Sequence, residues 1–288
     1  MTIEYEKYFD NISYLEDWIN EAPGYFTVKD FTSDRTEQLV FTRKFEMLAS
    51  IGKCERHPTQ RGRYRKKETE LELMDLVNTE ANPVDIWLPF GLSDYVEIYP
   101  GNMIMVAGGK SCGKSAVMLN MIYENMREWD VEYFNSEMGA AELRKRIDLY
   151  PHASINQWNF KAYRRADAFG DAIVGGTNKL ILIDFLEVHD EFYAIGRAIK
   201  SIHDHLAGAV AVVAIQKNPG SDVGLGGWRS AEVSRLYLSL DRNRVKITDA
   251  KNFRQPDKNP NGWVRNFSIK HGCLITMKGG WQREVKDV

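Results

Sequence analysis

The chain has 288 residues, 43% hydrophobic and 27% charged, and its 38 cationic and 40 anionic side chains leave a formal net charge of −2. That composition excludes wholesale disorder, and the length favours two domains over one. The longest apolar run, Ala207 to Ile215, is about half the roughly 20 residues a membrane-spanning helix needs, and Glu4, Glu6 and Asp10 interrupt any secretory signal pattern, so a cytoplasmic protein is expected.

Residues 1–77 read as a small module. Ile3, Tyr5, Phe9, Ile12, Leu15, Trp18 and Ile19, mostly three or four apart, predict an amphipathic helix that Pro23 and Gly24 end. Thr36 to Ser50 predicts a second helix, in which Val40, Lys44, Met47 and Leu48 alternate with charged residues until Gly52 stops it. Lys53–His57 and Arg63–Lys67 are short strand-like runs joined through Pro58 and Gly62, a hairpin pattern. Seven cations in 53–67 (Lys53, Arg56, Arg61, Arg63, Arg65, Lys66, Lys67) face Glu55 alone, a local balance of 7 − 1 = +6. Helices followed by a basic hairpin predict a winged helix-turn-helix that touches nucleic-acid phosphates; the competing reading is a solvated charged face.

An acidic connecting segment runs from Glu68 to Asp85 and is broken by Asn82 and Pro83, which places the linker at 78–88 and a second domain at 89–288. Beyond it, short apolar runs (Met103–Val106, Glu132–Phe134, Leu180–Ile183, Ala209–Ile215) alternate with helical patterns (Ala116–Met126, Ala140–Leu149, Phe192–Leu206). That alternation predicts an α/β fold with a mostly parallel sheet flanked by helices. Leu236–Leu240, Arg244–Thr248, Trp263–Ile269 and Cys273–Met277 read as an antiparallel carboxy-terminal extension. Cys54, Cys112 and Cys273 are widely separated, without the spacing of a disulfide framework or a zinc module.

The sharpest motif is Gly108-Gly109-Lys110-Ser111-Cys112-Gly113-Lys114-Ser115, which satisfies G-x-x-x-x-G-K-[ST] between a strand and a helix. Glycines let the loop curl so that backbone N–H groups and a helix N-terminus face phosphates. Lys114 is then placed at the β- and γ-phosphates and the Ser115 hydroxyl on Mg²⁺. Asp184 ends the aliphatic run Leu180–Ile183 and is the second expected Mg²⁺ ligand. Glu137 and Glu187 both compete to orient the attacking water, Glu137 being preferred; its alternative role is to cap the helix after it. Gln216, at the end of its strand, is placed to sense the γ-phosphate or is simply a polar strand end. The glycine-rich stretch 218–229 offers Trp228 for base stacking and Arg229 for a phosphate, or is a plain flexible loop. Asn178-Lys179 is followed by Leu180 and Ile181 rather than a guanine-reading aspartate, so ATP is expected over GTP, and no arginine-rich lid marks a small-molecule kinase.

In order, GGKSCGKS, NSEMGAAELRKRI (135–147), LILIDFLE and VVAIQK resemble the motifs of RecA-fold P-loop ATPases, above all the motor domain of DnaB-type replicative helicases and related phage and plasmid hexameric ATPases. The resemblance covers roughly 86–280 and implies a RecA-like core, ATP and Mg²⁺ as ligands, DNA as partner and a homo-oligomer with sites between subunits. It assigns the catalytic glutamate to Glu137 and the sensor glutamine to Gln216. The family's trans-acting Lys-x-Arg pair falls on Lys251 and Arg254, one residue farther apart than the family pattern. The expected function is a Mg²⁺-dependent, DNA-binding ATPase of replication or recombination, a helicase-like motor or assembly factor, with a nucleotide-gated DNA-binding regulator or helicase loader of low turnover as the alternative.

Overall fold

Aliphatic segments without a polar face must be covered on both sides, and in this chain they assemble into one sheet between two helical layers. The computed structural model describes residues 12–22, 24–67, 73–151, 153–186 and 192–284. It divides into two compact units, Met1–Thr79 and Glu80–Val288.

The first unit contains α1 (Ile12–Glu21), β1 (Tyr25–Thr27), the single-turn α2 (Val28–Phe31), α3 (Arg35–Ser50), β2 (Cys54–Arg56) and β3 (Arg63–Lys66). The part of the first predicted helix before Ile12 lies outside the described residues. Asp34 starts α3, its Oδ1 accepting the N–H groups of Thr36 (2.7 Å) and Glu37 (3.0 Å). The predicted basic hairpin forms, and the antiparallel sheet gains a third strand in the order β1-β3-β2, with Phe26 and Arg56 both opposite Tyr64. The inward face of α3 is Phe41, Lys44, Phe45 and Leu48, not one that includes Met47, which is 40% exposed. Aromatic area decides this choice. Phe41 packs edge-on against Phe31 and Phe45 stacks on Tyr64, while Trp18 closes on Phe26 at 5.0 Å between centroids. Lys44 lies within this core, its ammonium 5.3 Å from the Phe41 ring centre, and burial holds its pKa below the ordinary lysine value.

The second unit is built on β4 (Met103–Gly108), α4 (Lys114–Asn125), β5 (Asp130–Asn135), α5 (Ala140–Ile147), β6 (Lys161–Arg164), β7 (Lys179–Leu186), α6 (Phe192–Asp204), β8 (Val210–Gln216), β9 (Ser234–Asp241), β10 (Arg244–Ala250), β11 (Trp263–Lys270) and β12 (Leu274–Arg283). The nine strands lie in the order β12-β11-β10-β9-β4-β8-β7-β5-β6. From β9 to β6 every pairing is parallel. The antiparallel extension therefore begins at β10, one strand later than predicted, because Leu236 to Leu240 are buried on both faces and join the parallel core beside β4. β6 escaped prediction: all four of its residues are exposed at the sheet edge, which removes the apolar signature of a strand.

Alternate residues of β4 serve opposite layers. Ile104 and Val106 pack on the side of α4, with Val117, Met118 and Met121. Met103, Met105 and Ala107 pack on the side of α6, against Ile195, Ile199 and Ile202. Residues 84–88, read as linker, belong to this core: Ile86 and Leu88 are buried, and the Trp87 N–H donates to Asn125 Oδ1 at 2.8 Å. Among the described residues no helix is long and apolar enough to cross a membrane.

Candidate nucleotide site

The parallel strands deliver their carboxyl ends to one edge of the sheet, where an open α/β fold binds ligands. Gly108 ends β4 directly beside Gln216 of β8 and Leu240 of β9, and Asp184 of β7 lies opposite Asn135 of β5. The segment 109–113 links the buried β4 to the amino terminus of α4. Ser111 (φ 60°) and Gly113 (φ 100°) hold left-handed conformations, the geometry that turns successive backbone N–H groups into an anion-binding concavity. A Cβ at Gly113 would collide with Ile269 Cδ1, and one at Gly108 would lie 3.1 Å from Lys114 Cγ. The loop is thus a cradle closed from behind by the β11–β12 hairpin, whose Cys273 carbonyl accepts a 2.6 Å bond from Asn120 Nδ2 of α4.

Lys114 folds over this loop, its Nζ donating to the carbonyls of Gly108 and Gly109, each at 3.0 Å. Burial pulls its pKa below the ordinary lysine value, against the opposing fields of Asp184, Cys112 and Glu137. Lys110 and Ser111 are exposed at the loop tip, Gly109 and Cys112 are half-buried, and Ser115 stands in the first turn of α4.

Asp184 is 2% exposed, and Tyr133 Oη donates to its Oδ2 at 2.8 Å. Burial, reinforced by the charge of Asp184 and the bond to it, pushes the Tyr133 phenol well above its usual pKa, so it remains a proton donor to the carboxylate. Tyr133 was missed by sequence reasoning because it looks like one more apolar strand residue. With Asp184 in the Mg²⁺-ligand role proposed below, Tyr133→Phe is expected to leave the fold intact and raise the Mg²⁺ concentration for half-maximal nucleotide turnover by roughly tenfold, the loss of one hydrogen bond to a charged group; an unchanged Mg²⁺ titration would overturn this.

Glu137 sits at the mouth of the site, in a turn organised by Asn135. The Asn135 Oδ1 accepts the N–H groups of Glu137 (3.1 Å) and Met138 (3.0 Å), while its Nδ2 donates to the Met138 carbonyl (2.6 Å). Gly139, without a side-chain bond, begins α5, so Glu137 is not its cap. Glu187 lies outside the described residues. Gln216 is exposed at the carboxyl edge, its carbonyl accepting the Leu225 N–H at 2.8 Å. Lys251 and Arg254 are not brought to this loop. β10 runs antiparallel to β9, and the Lys251 N–H bonds the Arg235 carbonyl at the opposite edge, about 20 Å away along the strands.

The donor set fits a nucleotide with Mg²⁺. Ser115 and Asp184 offer two hard oxygen ligands, the complement for an ion that takes its remaining partners from phosphates and water.

No protein-family model and no curated protein sequence matches the chain. Among solved structures, the KaiC-like protein PH0186 of Pyrococcus horikoshii OT3 is similar at 16% identity and TM-score 0.52, over 69% of this chain and 99% of that one. A second solved structure, of an ATPase domain, is similar at 15% identity and TM-score 0.46, over 60% of this chain and 84% of that one. The first likeness, with the mostly parallel nine-stranded sheet and its antiparallel flank, shows a RecA-like P-loop fold.

Proposed function

We propose that the chain is a Mg²⁺-dependent ATPase of the RecA-like kind that acts on DNA in replication or recombination. The carrying observation is that the phosphate loop with Lys114, Asp184 and the Glu137 turn follow the carboxyl ends of β4, β7 and β5, on one edge of the parallel sheet. The loop amides and Lys114 bind and neutralise the terminal phosphates, and Glu137 orients water for attack on the γ-phosphorus. Ser115 and Asp184 would hold Mg²⁺, which supplies charge neutralisation on the β- and γ-phosphate oxygens. Gln216, next to Gly108, is the reporter of γ-phosphate occupancy. We assign Lys251 and Arg254, a strand length from their own loop, to a neighbouring copy's site, an assignment that requires a homo-oligomer.

The first unit supports DNA contact. Its order of helix, strand, two helices and a basic hairpin, with sheet order β1-β3-β2, supports reading it as a winged helix, although α2 has a single turn. Arg65 is already bonded to Glu55 at 2.6 Å, and Arg63 to Gln60 at 2.6 Å. Neutralising Arg61, Arg63 and Arg65 together is expected to flatten the slope of log affinity against log salt by about 2 rather than the full 3, since Arg65 is spent in part on Glu55. An unchanged slope returns the hairpin to a solvated face.

The deciding experiment is ATP hydrolysis by the purified chain with and without single-stranded and duplex DNA, with its mass followed in solution. DNA-stimulated turnover and ATP-driven assembly are expected. Slow turnover indifferent to DNA, in a chain that stays monomeric or dimeric, favours a nucleotide-gated regulator or loader instead.

A further inference from the structure

The glycine-rich segment after β8 is tied down from beneath by β9. Lys217 is the joint. Its backbone N–H donates to the Gly108 carbonyl at 3.3 Å, the same oxygen that accepts Lys114 Nζ at 3.0 Å. Its side chain is 1% exposed, and its Nζ donates to the Ser221 carbonyl (2.9 Å), Ser239 Oγ (2.8 Å) and Asp241 Oδ1 (2.7 Å). Three donors meet three acceptors, the condition under which a buried ammonium is tolerated.

A second clamp lies behind the first. The Tyr237 phenol oxygen accepts the Gly224 N–H at 2.8 Å and shares a 2.8 Å bond with Ser230 Oγ. At the outer side, Asp222 pairs with Lys246 at 2.6 Å. Gly224 is held so closely that a Cβ there would come within 2.6 Å of Ile215 Cγ2. The segment leads straight into the turn Gly227–Ala231, which carries Trp228, 65% exposed, and Arg229.

We propose that Lys217 is a positioning residue that transmits the state of the phosphate loop to segment 218–226. Its amide reads the Gly108 carbonyl while its ammonium binds the segment to Ser239 and Asp241. The inference rests on the nucleotide-site reading. A phosphate that draws Lys114 off the Gly108 carbonyl removes a competing donor there, and the Lys217 N–H bond tightens. Because the ammonium of the same residue holds Ser221, that displacement is passed along the segment toward Trp228.

Hydrogen exchange of the full chain, with and without Mg²⁺ and a non-hydrolysable ATP analogue, tests this in the natural sequence, Lys217→Met and Asp241→Asn. Amides of 108–115 are expected to gain protection in all three, since the Lys217 backbone donor survives substitution. In the natural sequence the analogue is expected to change exchange at Gly224 and Leu225 by roughly tenfold. Lys217→Met should abolish that nucleotide dependence, and Asp241→Asn, which keeps an acceptor oxygen but loses its charge, should reduce it. A purely structural clamp would speed exchange at 224–225 equally in both ligand states, leave the ratio intact and overturn the proposal. If Lys217→Met fails to fold, Asp241→Asn decides alone, because Asp241 is half exposed. Absence of protection at 108–115 in the natural sequence would refute the nucleotide site itself, and the proposal with it.

Discussion

Lys114→Ala is expected to lower ATP turnover by at least about 100-fold while leaving unchanged the DNA affinity proposed for the first unit. The size of the loss follows from what surrounds the ammonium. Asp184 and Glu137 both act on it, and partial burial has already cost it some of its hydration. Without Lys114 those two carboxylates would confront an incoming triphosphate with only Lys110, exposed at the loop tip, as a cation of the loop. Phosphate-release kinetics and a titration with fluorescent nucleotide check the two halves of the effect, and melting temperature controls for folding. Full turnover in the variant would remove the phosphate loop from the chemistry.

Glu137→Gln is expected to bind ATP normally and hydrolyse it about 10²- to 10⁴-fold more slowly. The substitution keeps shape and removes only the base. Asn135 organises the turn through the backbone N–H groups of Glu137 and Met138, so the turn does not depend on the Glu137 carboxylate. A stable ATP complex that fails to turn over is therefore the signature to look for by single-turnover kinetics. If Glu187→Gln traps ATP and Glu137→Gln does not, the assignment of the two acids reverses.

The phosphate loop was legible in sequence because its requirements are local. Glycine at 108 and 113, then Lys114 and Ser115, are demanded by a backbone curl that eight consecutive residues complete. Asp184 was legible for a related reason, as an acid at the end of a fully aliphatic strand. Tyr133 was not, since its bond to Asp184 spans 51 positions and depends on how β5 and β7 are registered. Lys217 reads as an ordinary strand-end cation until β9 is known to lie on the far side of β4. The same ignorance of neighbours put the start of the antiparallel extension at Leu236, because a strand's direction is set by its partner and not by its own residues. β6 and β1 were invisible for a different cause: at three or four residues, and with β6 wholly exposed, they carry too few apolar positions for a period to register.

The contact of Ile269 with Gly113, together with the bond from Asn120 to the Cys273 carbonyl across 153 positions, has a consequence for the order in which the molecule is made. A growing chain has its phosphate loop in hand long before the wall behind that loop has been translated. At about 5–20 residues per second the interval is roughly 8–30 s, during which Gly113 and Asn120 have no hairpin to close on. Nucleotide present in the cell during synthesis meets an unfinished cradle until β11 and β12 have emerged and closed it.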